Sequence, residues 1–310
     1  MGKMKYIVNI FCIVSIVCFF TLVRVTYSEE KAGHIGSEKC MTCHDDHGKE
    51  FQKSFHAKTF VKEKQLNQAE HCETCHGAGS LHAEAAGDKN AAGYATILGP
   101  KTNPKELANS CLQCHGNTHP NWKGSTHSRQ GLTCNSCHNS HKSSVPGPDQ
   151  GKLLKKKTST ENCFQCHKDK KAHMSKASHM PTKEGKLSCV TCHDPHGSPY
   201  AKNLKTASTR ELCLTCHAEK RGPFLWEHAP VQENCLTCHD AHGSLQDKML
   251  IAKSPFLLCQ RCHVGTRHPS TLYDDSAVKQ QNSRIINRSC QNCHVNIHGS
   301  NHPSGVYFMR

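Results

Sequence analysis

Apolar mass is scarce in this chain. Hydrophobic residues make up 35% and aromatic residues 6%, and mean hydropathy is −0.64. Folding is driven chiefly by burial of apolar surface, so this supply excludes a large conventional core for 310 residues. Two Trp and six Tyr provide no basic–aromatic platform for stacking bases, so the formal charge of +14 does not read as a nucleic-acid surface. After residue 23 no run is long and apolar enough to span a membrane. Low hydrophobicity can signal disorder. Here it accompanies 22 Cys and 26 His, and that composition points to a fold built around cofactors.

The first residues have the form of a targeting segment. Lys3 and Lys5 precede an apolar run over residues 6–23, interrupted mainly by Asn9. Thr26 and Ser28 are small residues in the −3 and −1 positions of a cut before Glu29, so residues 1–28 are expected to be a secretory signal peptide. The run is long for one, and an uncleaved anchor is the alternative reading. Cys12 and Cys18 lie inside it; neither follows Gly, Ala or Ser, so both are read as apolar filler. Residues 29–310 are then expected to be exported, with a charge of +11.

Every other cysteine belongs to a C-x-x-C-H string. The ten pairs are Cys40/Cys43, Cys72/Cys75, Cys111/Cys114, Cys134/Cys137, Cys163/Cys166, Cys189/Cys192, Cys213/Cys216, Cys235/Cys238, Cys259/Cys262 and Cys290/Cys293. Each is followed at once by a histidine: His44, His76, His115, His138, His167, His193, His217, His239, His263 and His294. This is the attachment pattern of c-type haem. Two thiols one turn apart form thioethers with the two vinyl groups of one porphyrin, and the next imidazole is the proximal iron ligand. Zinc sites do not need a histidine after every pair, and a disulfide scaffold gives that histidine no role. About one residue in twelve is His, so ten in succession by chance has a probability on the order of 10⁻¹¹. Ten c-type haems are expected.

Sixteen histidines remain, against ten further axial positions. Only seven Met exist, in no register with the strings. The strings pair into two-haem units over approximately residues 50–120, 121–175, 176–222 and 223–266, flanked by single-haem half-units. Each unit opens on an upstream histidine (His56, His127, His179, His228) and carries another after its first string (His82, His141, His196, His242). Four such histidines for two irons predict bis-histidine ligation. The distal set is therefore His56, His82, His127, His141, His179, His196, His228, His242, His268 and His298. For the first string His34, His47 and His56 are open alternatives. For the last, His268 and His298 are preferred, with His302 next. A histidine three residues past the proximal one lies on the same helical face and cannot reach the far side of the same iron. His242 is thus expected on a neighbouring haem, within its own unit. His71, His119 and His173 are read as surface residues.

The fold class expected is a multihaem cytochrome c. Short α-helices sit at each C-x-x-C-H, long irregular connections join them, there is little or no sheet, and the haems form an elongated wire. The porphyrins supply the apolar mass, so the chain is not expected to fold without them. Each ferric haem with ionised propionates adds about −1, which brings +11 close to zero. That accounts for the basic composition without an external anion.

The segments AEKRGPFLWEHAPVQENCLTCHDAHGS (218–244), LCQRCH around Cys259, CQNCHVNIHGSNHPSG (290–305) and CETCHGAGSLH (72–82) resemble the periplasmic decahaem cytochromes of the MtrA/DmsE type. The resemblance covers the whole mature chain. It implies a bis-histidine haem wire, periplasmic and associated with the outer membrane. Such a wire sits in an outer-membrane β-barrel porin and exchanges electrons with an extracellular multihaem cytochrome or terminal reductase. On the inner side it implies a periplasmic or inner-membrane cytochrome as donor or acceptor. Metal reduction, iron oxidation and DMSO-type respiration are all compatible uses. His34 and His47, bracketing the first string, depart from the family pattern. No catalytic residue is expected, since every iron can be six-coordinate. A soluble periplasmic shuttle is one alternative. A multihaem reductase of nitrogen or sulfur oxyanions is the other, disfavoured because no proximal histidine is replaced.

Overall fold

The computed structural model describes residues 31–63, 71–95, 97–99, 101–142, 149, 151–263 and 289–309. The leader, Cys12, Cys18 and His268 lie outside these residues. Among the described residues there is no strand, only isolated antiparallel bridges, and no helix is long and apolar enough to cross a membrane. Among the described residues the buried apolar ones are few and scattered: Ala57, Phe60, Ala108, Trp122, Leu153, Met174, Leu214 and Leu250.

The strings themselves are the regular structure. In each of eight strings the histidine N–H donates to the first cysteine's carbonyl, as His44 does to Cys40 (3.0 Å), His193 to Cys189 (3.0 Å) and His294 to Cys290 (2.9 Å). The strings at Cys72 and Cys111 end the helices His71–His76 and Pro104–His115. Two strings depart from the expected α-helix: Cys235–Thr237 and Cys290–Asn292 are 3₁₀ turns. Their second cysteines, Cys238 and Cys293, are therefore not inside an α-helix but cap a single tight turn. Cys293 N–H donates to the Cys290 carbonyl (3.2 Å), three residues back, and Cys238 N–H does the same to Cys235 (3.3 Å). The Asn234 and Ser289 side chains cap these turns immediately before the first cysteine, accepting from Leu236 and Gln291 N–H.

Caps explain where the helices start. The helices leading into the later string of each unit begin at Asn103, Thr158, Ser208 and Ser254, whose side chains accept from Lys105, Glu161, Glu211 and Leu257 N–H. Each leaves a turn or more before its cysteine. The earlier strings start almost on the cysteine. Thr133 N–H donates to Ser136 Oγ and Ser188 N–H to Thr191 Oγ1, both at 3.1 Å.

A second repeating element follows the earlier strings. The chain turns back so that His138 bridges Leu154, His193 bridges Leu204 and His239 bridges Leu250. Two backbone exchanges also stitch consecutive units together. Ser178 and Ser244 exchange backbone hydrogen bonds (3.1 and 2.8 Å), as do Trp226 and Ser300 (3.0 and 2.9 Å). Glycine makes this approach possible. Gly243 has φ +128°, and a Cβ there would stand 2.5 Å from the His173 carbonyl oxygen. Gly197 meets the Asn121 carbonyl in the same way, at 2.7 Å.

Candidate haem sites

The cysteines place the strings in order. None of the twenty is in a disulfide among the described residues. The first cysteines of consecutive strings lie beside one another in pairs: Cys40 and Cys72, Cys111 and Cys134, Cys163 and Cys189, Cys213 and Cys235, and Cys259 and Cys290. In between, Cys75 lies within electrostatic reach of Cys111 and Cys114, Cys137 of Cys166, Cys192 of Cys216, and Cys238 of Cys262. All nine junctions between consecutive strings are thus close. Cys293, the second cysteine of the tenth string, is exposed. The tenth string joins the series through Cys290.

The proximal histidines share a support. Nδ1 of His76 lies 2.7 Å from the Leu98 carbonyl, His138 2.7 Å from Lys152, His193 2.9 Å from Lys202, His239 2.7 Å from Lys248 and His294 2.5 Å from Tyr307. A carbonyl can only accept, so Nδ1 carries the proton and Nε2 presents its lone pair. Lys202 and Lys248 take left-handed conformations (φ 57° each) in making this turn.

Facing these rings are the other histidines. Ring centres are 6.2 Å apart for His44 and His82, 5.8 Å for His76 and His141, and 6.1 Å for His115 and His56. They are 6.1 Å apart for His138 and His196, and 6.3 Å for His167 and His127, His193 and His242, His239 and His298, and His263 and His228. Two imidazoles on opposite sides of one iron, with metal–nitrogen bonds of about 2 Å and ring centres about 1.1 Å further out, stand about 6.3 Å apart. The residues present therefore fit a haem iron between them. His82, His127 and His228 also give Nδ1 to carbonyls, those of Tyr94 (2.7 Å), Pro195 (2.8 Å) and Ile297 (3.1 Å). Burial first, then neighbouring imidazoles or lysines, holds His56, His141, His196, His242 and His298 below the ordinary histidine range, with His196 down to about 4. Neutral imidazole is the form that binds metal.

The geometry corrects several sequence expectations. His242 faces His193 of the preceding unit, not an iron of its own unit, because Gly243 and Ser244 dock back onto Ser178. The first proximal histidine, His44, faces His82. His56 faces His115 instead. His34 is occupied by Glu73 (3.6 Å), and His47 lies 6.1 Å from His44 on the same short stretch of chain. His298 faces His239 rather than the last string at Cys290 and Cys293, and Nδ1 of His302 accepts from Ser304 N–H (3.2 Å). His71 is buried against Phe51 and Phe60, not on the surface. His119 stacks on His196 with ring centres 3.9 Å apart, and His173 pairs with Asp240 at 3.3 Å. His179 is not brought to a facing ring among the described residues. Its Nδ1 meets the Lys176 carbonyl (2.7 Å) and its Nε2 Glu184 (3.2 Å), while His217 pairs with Glu219 (3.5 Å).

Asp194 and Asp240 were not singled out from sequence. Each sits directly after a proximal histidine and accepts the backbone N–H of the histidine two residues on, His196 or His242, at 2.9 Å. The signal was available in the repeated CHDxHG, since Asp at that spacing forms an Asx turn. Glu73 was also missed. Its buried carboxylate accepts from Ile35, Gly36 and Gly79 N–H at 2.8–3.1 Å and ties the segment before the first string to the second.

Two comparisons agree with this organisation. A family model described as "Doubled CXXCH motif" matches residues 127–172, 179–222 and 228–268. Over 282 residues the chain is 38% identical to the multihaem cytochrome MtrA of Shewanella baltica (strain OS185), covering 89% of this chain and 81% of that protein. Consecutive thiol pairs, backed imidazoles and this identity lead to one conclusion: the chain belongs to the MtrA-type multihaem cytochromes, electron-transfer proteins rather than enzymes, which carry c-type haems on C-x-x-C-H strings.

Proposed function

We propose that this chain is a ten-haem conduit that carries electrons between the periplasm and the cell exterior. In this reading it is exported, lies at the outer membrane within a β-barrel porin, and meets an extracellular multihaem cytochrome or reductase at one end. A periplasmic or inner-membrane cytochrome meets it at the other. The observation that supports it best is the unbroken spatial succession of all ten strings in chain order. A shuttle or a reductase has no need of such a line, whereas a wire consists of it.

Each string's two thiols anchor one haem, and its histidine is the proximal ligand. At the last string these are Cys290, the exposed Cys293 and His294. The distal ligands are the facing rings: His82, His141, His56, His196, His127, His242, His298 and His228 for the first to sixth, eighth and ninth irons respectively. The repeat register assigns His179 to His217, as His127 faces His167 and His228 faces His263, and for His294 the sequence leaves His268 as the preferred candidate. Haem supplies reversible one-electron chemistry. The protein holds each Nε2 toward its iron, keeps imidazoles neutral and leaves no iron open to a substrate.

Haem quantitation of the purified, cell-exported chain should give ten per polypeptide, with ferric EPR entirely low-spin. Isolation from outer membranes should bring a barrel partner along. Recovery solely as a free periplasmic monomer would refute the transmembrane part, and a substantial high-spin signal would refute the closed wire.

A further inference from the structure

The facing pairs leave histidines over, and three of these fall at matching places. His47 follows the first string's proximal histidine by three residues, His119 follows the third's by four, and His173 follows the fifth's by six. Each reaches the group opposite the next string's proximal ring. His47 sets its ring 5.7 Å from that of His141, which faces His76. His119 lies nearly parallel on His196 (27°, centres 3.9 Å apart), and His196 faces His138. His173 Nδ1 stands 3.3 Å from Asp240 Oδ2, while Asp240 Oδ1 holds the N–H of His242, which faces His193.

We propose that these surplus histidines are positioning residues at alternate junctions of the wire. Each is carried by the segment after an odd-numbered string and sets the orientation of the axial imidazole on the following even-numbered iron. The proposal rests on the bis-histidine reading above. An imidazole bound through Nε2 can rotate about the metal–nitrogen axis, and its plane sets the splitting of the iron orbitals and hence the low-spin g-values. A ring stacked on its face removes that rotation. His119 does so directly, with the buried Trp122 on the same imidazole at 6.5 Å. His47 makes an edge contact, and His173 acts through a carboxylate, so three repeat-equivalent ligands receive three different supports. Irons with identical ligand sets are thereby made unequal along the chain.

The test uses the full-length haem-loaded protein carrying His119→Ala or His119→Phe, read by EPR and by redox titration. With alanine, all ten haems should stay attached and low-spin, while the largest g-value of one signal shifts and the redox profile changes for one centre in ten. Phenylalanine, which restores a flat ring without a nitrogen, should return that signal to its wild-type position. An alanine spectrum superimposable on wild type would overturn the proposal, as would a phenylalanine variant as perturbed as alanine. High-spin iron appearing only in the alanine variant would also overturn it, by making His119 a ligand. If the alanine protein does not mature, the phenylalanine variant decides alone: ten haems with the wild-type signal support the proposal, and a shifted signal or lost haem refutes it. High-spin iron already present in the wild type would instead remove the underlying bis-histidine reading.

Discussion

Replacing His242 with alanine opens one site and leaves its surroundings standing. Its ring faces His193 across 6.3 Å and is the only part removed. Asp240 still accepts the backbone N–H at position 242, and Ser244 still pairs with Ser178. The cysteines of that haem, Cys189 and Cys192, and its proximal ligand are untouched. One of the eight facing pairs is lost, so on the proposed ten-haem reading high-spin ferric iron should rise from none to about one tenth of the total, and the reduced protein should bind about one carbon monoxide per chain. Quantitative EPR and a carbon monoxide titration measure this. The identity of the opened iron is checked in a background lacking Cys189 and Cys192, where that haem is absent and His242→Ala should add no high-spin signal. A wholly low-spin variant would refute the facing-pair assignment. A high-spin signal persisting in the cysteine-less background would refute the cross-unit pairing and return His242 to an iron of its own unit.

Three further outcomes are expected. His56→Ala should open the iron at Cys111/Cys114 and leave the first haem low-spin, because His56 faces His115 while His44 faces His82; haem-resolved NMR of the variant separates the two. Gly243→Ala should destabilise the protein by about 2–4 kcal/mol in denaturant titrations followed at the Soret band, since the left-handed backbone and the collision with the His173 carbonyl both cost energy. Glu73→Gln should cost about 1–2 kcal/mol at neutral pH. Burial pushes the Glu73 carboxyl up, but the N–H bonds from Gly36, Gly79 and Ile35 outweigh it and hold the group below its ordinary 4.5. Its stabilisation is therefore complete above 4.5 and lost as pH falls through the lowered folded value. Melting curves of wild type and variant should converge in acid and separate on the way to neutrality; a constant difference would refute this role.

The string count and the surplus of histidine were legible because they are arithmetic on residue types and need no coordinates. Ligand pairing was not. His242 and His298 look like intra-unit or terminal ligands in the sequence, yet both reach back across a unit boundary. The cause is non-local. Backbone exchange between Ser178 and Ser244, and between Trp226 and Ser300, joins residues more than sixty apart. No periodicity within one string encodes such a contact. His71 and His119 failed for a related reason, since a lone histidine carries no mark of whether Phe60 or another histidine will cover it.

The sequence by itself determined the c-type haem strings, the turn at each C-x-x-C-H, the doubled motif of residues 127–268 and how little apolar surface there is to bury. These are local or compositional properties, set by covalent spacing, by caps such as Ser208 and Ser254, and by how much apolar surface exists to bury. Only the tertiary structure decided which imidazole faces which across each gap, and which histidines stand beside a facing ring. That depends on how successive units dock. The docking runs through glycines and backbone hydrogen bonds whose partners lie a unit or more away, where residue type alone carries no address.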